Sequence, residues 1–324
     1  MSTPKTTLVN PRRYPRFSGI STFARFPLID EVLSEGKKVD WAVYGAPYDS
    51  GVTYRPGARF GPRSIRNESQ YVKPYHIEHD LTLSDVYSLA DAGDARVEPF
   101  DLEANARVIT ESALEIRADR VFMLGGDHSC TLANLRASYE KAGKPKGGLA
   151  MIHFDSHVDT VDVTMNHKYS HASPFIRAVE EGVLDPKRML SIGVKGPLNT
   201  KDDLAYATEH GVELITYEEW RREGTARIDA FLDRLGDDAT YLTFDIDCID
   251  PTYAPGTGTP SVGGFTSAEA LALVRGLARN GKGPRLVGGD VVEVLPDRDV
   301  MGNTALLAAH IAFEILCLSA VGRV

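Results

Sequence analysis

Cysteine is scarce in this 324-residue chain. Cys130, Cys248 and Cys317 are too few and too scattered for a disulfide framework, which excludes the stapled secreted scaffolds and points to a reducing, cytoplasmic setting. Positive charge is short as well. Lys and Arg number 36 against 45 Asp and Glu, a formal net charge of -9. No basic cluster follows the opening NPRRYPRF, which argues against a nucleic-acid or anionic-membrane partner and suits a small cationic substrate. The N-terminus lacks an apolar core of signal-peptide length, so no secretory leader is expected. The last apolar segment, TALLAAHIAFEILCLSAVG, carries His310 and Glu314 and repeats its apolar residues at helical spacing, the pattern of a packed helix rather than a membrane span. No internal repeat, low-complexity tract or Ser/Gly linker interrupts the chain. One domain over residues 1–324 is therefore expected, with residues 1–25 as an irregular arm on its surface.

What the sequence has in quantity is alternation. With 43% hydrophobic residues it can bury a large core. Short β-rich runs (VDWAVYGAP, RVFMLGGD, GGLAMIHFD, RMLSIGV, VELIT, ATYLTFDID and PRLVGGDVVEV) read as strands. Amphipathic stretches such as LEANARVITESALEI, CTLANLRASYEKA and SAEALALVRGLARN lie between them and read as helices. That order predicts βαβ units: an α/β fold with a central, mostly parallel sheet covered by helices on both faces.

Parallel sheets place their chemistry at the carboxyl ends of strands, and three strand ends here are densely polar. LGGDHS ends one with Asp127 and His128, HFDSHVD ends the next with Asp155, His157 and Asp159, and TFDIDCID ends a later one with Asp245, Asp247 and Asp250. If these segments stay extended, Asp155, His157 and Asp159 share one side, as do Asp245 and Asp247. A lone Asp or His at a strand end is usually a cap or a surface group, but so many carboxylates at one sheet edge would repel each other unless cations neutralised them. A pair of divalent metals resolves the conflict. Imidazole with carboxylates and no thiolate suits Mn(II), Fe(II), Co(II), Ni(II) or Zn(II), and two such ions hydrolyse substrates by lowering the pKa of a shared water. Cys248 faces away from Asp247 and reads as a buried thiol. Asp127 and Asp250 read as groups holding ligands in place, and His153 as a hydrogen-bonded core histidine on the face opposite His157. PTYAPGTGTPSVGG is too rich in Pro and Gly for a helix or a central strand and should form a rigid loop beside the metals.

GGDHS, FDSHVD and FDIDCIDPTYAPGTGTPSVGG resemble the signature motifs of the ureohydrolases, the dinuclear-metal family of arginase, agmatinase and related guanidino hydrolases. GVTYRPGARFGPRSIR and GGDVVEV resemble the agmatinase-like branch, and the similarity runs from about Asp40 onward. The resemblance implies a three-layer α/β/α, arginase-like fold. It implies two Mn(II) ions, or Ni(II), with His128, Asp155, Asp159 and Asp245 on one and Asp155, His157, Asp245 and Asp247 on the other. It makes His171 the proton donor and Glu293 the partner of the guanidinium. It further implies a homo-oligomer, trimer or hexamer, that cleaves a guanidino compound to urea and an amine. Agmatine leads as substrate. A guanidino acid (4-guanidinobutanoate or 3-guanidinopropanoate) is the alternative, with guanidine or a substituted guanidine or biguanide third. An arginase-fold deacetylase and a non-catalytic partner subunit are the readings from other classes. Two departures from the family pattern bear on the pocket: Ser156 where a small residue such as Ala is common, and HASP after His171 where His-Gly-Thr-Pro is common. TVDVTMNHKYS should line the mouth, with Asp162 placed to meet an ammonium and His167 or Lys168 to meet a carboxylate.

Overall fold

Runs such as WAVYG and LAMIHF leave almost no residue fit for water, so they can fold only where both faces of a sheet are covered; each is buried along its whole length. The computed structural model describes residues 4–323. It contains ten strands: β1 Trp41–Gly45, β2 Tyr75–His76, β3 Leu81–Thr82, β4 Leu89–Asp94, β5 Arg120–Leu124, β6 Leu149–Phe154, β7 Leu184–Val194, β8 Glu213–Thr216, β9 Thr240–Asp245 and β10 Leu286–Val292. Eight of them form one sheet in the order β4-β1-β5-β10-β9-β6-β7-β8, and β2 and β3 pair separately. Every pairing in the large sheet is parallel. The chain builds β5, jumps outward through β6, β7 and β8, and then returns to insert β9 and β10 between β6 and β5. This return makes β5, β10, β9 and β6 four consecutive central strands, and their carboxyl ends meet at the reversal where α/β sheets open a crevice.

Helices cover both faces. On one, Phe122, Leu124, Ile152, Phe244 and Val291 pack with the C-terminal helix Asn303–Ala320. On the other, Val121, Met123, Met151 and Tyr241 meet the helices Leu102–Glu115 and Cys130–Lys141. The layered, parallel architecture expected from the alternating pattern is the one observed. The C-terminal helix is long and apolar enough to cross a membrane by composition, but 83% of that window is buried inside the protein. Its all-round apolarity is that of a core helix.

Some elements went unread in the sequence. Strand β4, LADAGD, has the Gly, Asp and Ala content that strands usually avoid; pairing with β1 (Trp41↔Leu89, Ala42↔Ala90) imposes it from the tertiary structure. The helix expected over 267–280 stops at Gly276, while its start is fixed by a capping box between Thr266 and Glu269. Residues 4–22 carry neither helix nor strand. They are moored by Thr6, whose hydroxyl donates to the Tyr87 carbonyl at 2.6 Å and accepts from the Leu89 amide at 2.8 Å.

Candidate metal centre

The site begins with a turn that only glycine permits. After β5 the chain passes Gly125 and Gly126, and a Cβ on Gly126 would lie 1.7 Å from the Tyr48 carbonyl oxygen. This close approach delivers Asp127 and His128 to the sheet edge. His128 Nδ1 lies 3.1 Å from Asp155 Oδ2, 2.9 Å from Asp159 Oδ2 and 3.2 Å from Asp245 Oδ2. His157 Nδ1 lies 3.3 Å from Asp155 Oδ1 and 3.1 Å from Asp247 Oδ2. Asp155 faces both imidazoles, and the six residues form one cluster, buried apart from the partly exposed His157.

The extended geometry assumed for these motifs is not what brings them together. Strand β6 ends at Phe154, and Asp159 turns back toward His128 in a left-handed conformation, φ 48°. Asp247 follows β9 in a single helical turn, its amide donating to Asp245 Oδ1 at 2.8 Å. Ser156 adds a bond, its hydroxyl donating to Asp247 Oδ1 at 2.7 Å, and Thr259 of the Pro/Gly-rich loop donates to Asp247 Oδ2 at 3.0 Å.

Electrostatics show what the cluster demands. Burial, with the charges of Asp247 and Asp155, pushes Asp245 well above the usual carboxylate range; burial and Asp155 push Asp159 up. Burial favours a neutral His128, yet the three carboxylates outweigh it and push its pKa well up. A proton on Nδ1 would nevertheless point at none of the three oxygens within hydrogen-bonding angles, and the buried Nδ1 has no hydrogen-bond partner. One nitrogen at nearly equal distance from three carboxylate oxygens is a vertex for a shared cation, and the donor set fits divalent metal.

Beside the cluster, His171 and Glu293 are in direct contact. His171 Nδ1 is 3.0 Å from Glu293 Oε1, which also accepts from the His128 amide at 3.0 Å. Glu293 sits just past β10 at φ 64°, and its second oxygen, Oε2, is buried with no partner. Thr53 closes the other side of the ring: its amide donates to His171 Nε2 at 3.1 Å and its hydroxyl lies 2.8 Å away. Burial favours a neutral ring, but Glu293, with Asp159 and Asp127 behind it, pushes His171 up to about 9. The Thr53 amide opposes this because it needs Nε2 free of hydrogen, so about 9 is a ceiling.

Several sequence expectations are corrected. His153 does not face away from the site: its Nε2 is 2.8 Å from Asp155 Oδ2 and its Nδ1 3.0 Å from Ser191 Oγ. Asp127 and Asp250 hold loops rather than ligands. Asp127 accepts from the Gly51 amide at 2.7 Å and from Ser129; Asp250 accepts from the Thr252 amide at 2.9 Å and the Gly263 amide at 2.7 Å. Asp162 is engaged by the buried Arg177, and no contact joins His167 or Lys168 to the centre among the described residues. Cys248 is buried in the apolar core, as expected.

Thr53, Thr243 and Asp290 were missed by the sequence reading. Thr243 and His153 stand two residues before Asp245 and Asp155 of the cluster, and Asp290 is the cross-strand partner of Thr243. The signal was present as Thr-x-Asp and His-x-Asp. A second His/Glu group, His76, His79 and Glu314, lies elsewhere. There Glu314 is already bound by Arg275 at 2.5 Å and by His76 at 2.6 Å, which makes it a buried ion-pair network.

Comparison with known proteins agrees with this geometry. The sequence model of the arginase family matches residues 39–318. Guanidinopropionase of Pseudomonas aeruginosa is 43% identical over 94% of this chain and 93% of its own. A mitochondrial agmatinase of Gallus gallus is 40% identical over 93% of this chain and 86% of its own. The structure of proclavaminate amidino hydrolase from Streptomyces clavuligerus superposes with a TM-score of 0.85 at 38% identity, covering 94% of this chain and 99% of that one. With its strand-end cluster of histidines and aspartates on a parallel sheet, and with similarity along nearly its whole length, this chain belongs to the arginase family.

Proposed function

We propose that this protein hydrolyses a C–N bond of a guanidino compound, releasing urea and an amine, at a centre of two divalent metals. The observation that carries the reading is the buried, unpartnered Glu293 Oε2 beside four carboxylates and two imidazoles at one sheet edge. His128, Asp155, Asp159 and Asp245 would hold one ion and Asp155, His157, Asp245 and Asp247 the other, with Mn(II) as the leading metal and Ni(II) as the alternative. When bound, such ions lower the pKa of a coordinated water into the neutral range, which an electron-rich guanidinium carbon requires of its attacker.

The chain's own residues supply the rest. A guanidinium offers only donors and Glu293 Oε2 has free acceptor capacity, so the pair is complementary. Opposite Oε2 the backbone carries Gly258, whose missing Cβ would lie 3.6 Å from that oxygen. The departing amine must leave protonated, and we read His171, whose Nδ1 lies 3.0 Å from Glu293 Oε1, as the source of that proton.

Agmatine is the leading substrate. A guanidino acid is favoured by one observation: Asp162, the acidic group expected to meet agmatine's ammonium, is already paired with Arg177. We further read the protein as a cytoplasmic homo-oligomer, trimer or hexamer, supported by three buried free cysteines and by arm residues Phe17 and Ile20, 92% and 75% exposed. The experiment is urea release by protein loaded with Mn(II) or Ni(II), offered agmatine, 4-guanidinobutanoate, 3-guanidinopropanoate, arginine, guanidine and a dimethyl-substituted guanidine. Urea from one of the first five, or from the last, names the substrate. No urea from any, with two metals verified per chain, overturns the proposal.

A further inference from the structure

A row of buried polar side chains crosses the sheet one step beneath the cluster. Asp290 on β10 is paired with Thr243 on β9, Thr243 with His153 on β6, and His153 with Ser191 on β7. All four are buried, as are Thr131, Asn134, Tyr44 and Tyr241, which meet Asp290 or one another. Several donor and acceptor directions in this group follow from the bonding rules alone. Asn134 Nδ2 lies 2.9 Å from the Gly289 carbonyl, which can only accept, so that atom is the amide nitrogen. It also donates to the Tyr241 hydroxyl at 2.6 Å, so Tyr241 directs its own hydrogen to Asp290 Oδ2, 2.6 Å away. The Tyr44 hydroxyl donates to Asn134 Oδ1 at 3.0 Å, and Thr131 donates to the same Asp290 Oδ2 at 2.8 Å. Asp290 Oδ2 is thus filled from two sides, while Oδ1 is buried and unfilled.

Across the strand pair from Asp290 stands Thr243, whose Oγ1 lies 2.9 Å from His128 Nε2. We propose that Asp290, acting through the Thr243 hydroxyl, is the positioning residue that fixes the proton of His128 on Nε2 and so presents a bare Nδ1 to the metal. Asp290 Oδ1, the unfilled acceptor across the strand pair, would take the Thr243 hydrogen after a small side-chain rotation; the Thr243 oxygen then accepts from Nε2–H, and the Nδ1 lone pair is left facing Asp155, Asp159 and Asp245. A metal-bound histidine needs its other nitrogen held as a donor, and losing such support commonly weakens metal binding by about 10- to 100-fold. The inference rests on His128 being a ligand, as proposed above.

The test uses the full-length protein titrated with Mn(II) against a competing chelator, with unfolding curves recorded on the metal-free proteins. Thr243→Val keeps shape and removes the hydroxyl; it should weaken one of the two metals about 10- to 100-fold and leave the other within about twofold. Thr243→Ser should restore the affinity. Asp290→Asn is the sharper variant. Tyr241 and Thr131 require an oxygen at the Oδ2 position, so the amide nitrogen must face Thr243 and reverse the relay, driving the His128 proton to Nδ1. Its loss of affinity should be at least that of Thr243→Val while the metal-free protein still unfolds cooperatively. Two metals bound as in the wild type in both Thr243→Val and Asp290→Asn overturn the relay. Wild-type metal binding by His128→Asn overturns instead the ligand assignment beneath it.

Discussion

Replacing Glu293 by Gln tests the substrate-binding half of the site without disturbing the metal half. The two carboxylate oxygens have different duties. Oε1 accepts from the His128 amide and from His171 Nδ1, each at 3.0 Å, and Oε2 is buried with no partner. In the variant both bonds can survive only if the amide oxygen takes the Oε1 position. The NH2 group is then forced to the Oε2 position, where it points donors at a guanidinium that also offers only donors. The change therefore reverses polarity as well as removing charge. Breaking one side of a buried, hydrogen-bonded charge pair costs about 2–5 kcal/mol, which is roughly 30-fold to several thousand-fold in kcat/KM. The assay is urea release across substrate concentrations, with metal content measured on the same samples. Because both Oε1 bonds are kept, the metal-free protein should still unfold cooperatively, losing at neutral pH no more than the roughly 3 kcal/mol that the charge of Glu293 lends through His171. A kcat/KM within about threefold of wild type, with both metals bound, would remove Glu293 from guanidinium binding.

Asp247→Ala deletes a carboxylate that faces His157 at 3.1 Å; metal analysis should find about one ion lost per chain and urea release nearly abolished, and wild-type turnover would sink the two-metal reading. Gly126→Ala drives a methyl group to within 1.7 Å of the Tyr48 carbonyl and should destabilise the protein by more than about 3 kcal/mol in denaturant unfolding, a value under about 1 meaning that the turn relaxes freely. Glu314→Ala leaves both Arg275 and the buried His76 without their shared partner and should cost about 3–5 kcal/mol by the same measurement; a near-neutral result would mean that water replaces it. His171 in the metal-free protein has its pKa raised from 6.5 toward about 9, so it contributes stability that is full below about pH 6.5 and is lost as pH rises through 9, at most about 3 kcal/mol. That slope should flatten in Glu293→Gln, and parallel unfolding profiles of the two proteins between pH 6 and 9.5 would contradict the assignment.

How far the sequence discloses this site depends on how each residue is delivered to it. His128, Asp155, His157, Asp245 and Asp247 follow directly on apolar strands, so a polar group just past a run like LAMIHF was legible as an edge group. Asp159 was legible for an incomplete reason. Alternation along an extended segment put it on the right side, but the chain reaches His128 by a left-handed turn at Asp159 that no periodicity reports. His171 and Glu293 could be named only by resemblance, because they meet at 3.0 Å across 122 positions of sequence. Least legible were the residues beneath the cluster. Thr243 in ATYLTFD passes for an ordinary strand former, since threonine suits a strand whether its hydroxyl is used or not. Asp290 in GGDVVEV looks like the end of a short strand, whereas β10 runs on to Val292 and buries it beside Thr243. What distinguishes them is burial without apolarity. A carboxylate in the middle of a fully covered strand must find donors, and with Tyr241 and Thr131 on one oxygen, the other, which has no partner, is the acceptor left for the neighbouring strand. That constraint links a residue with no role read from its motif to the geometry of His128, and it becomes visible only when β9 and β10 are known to lie side by side.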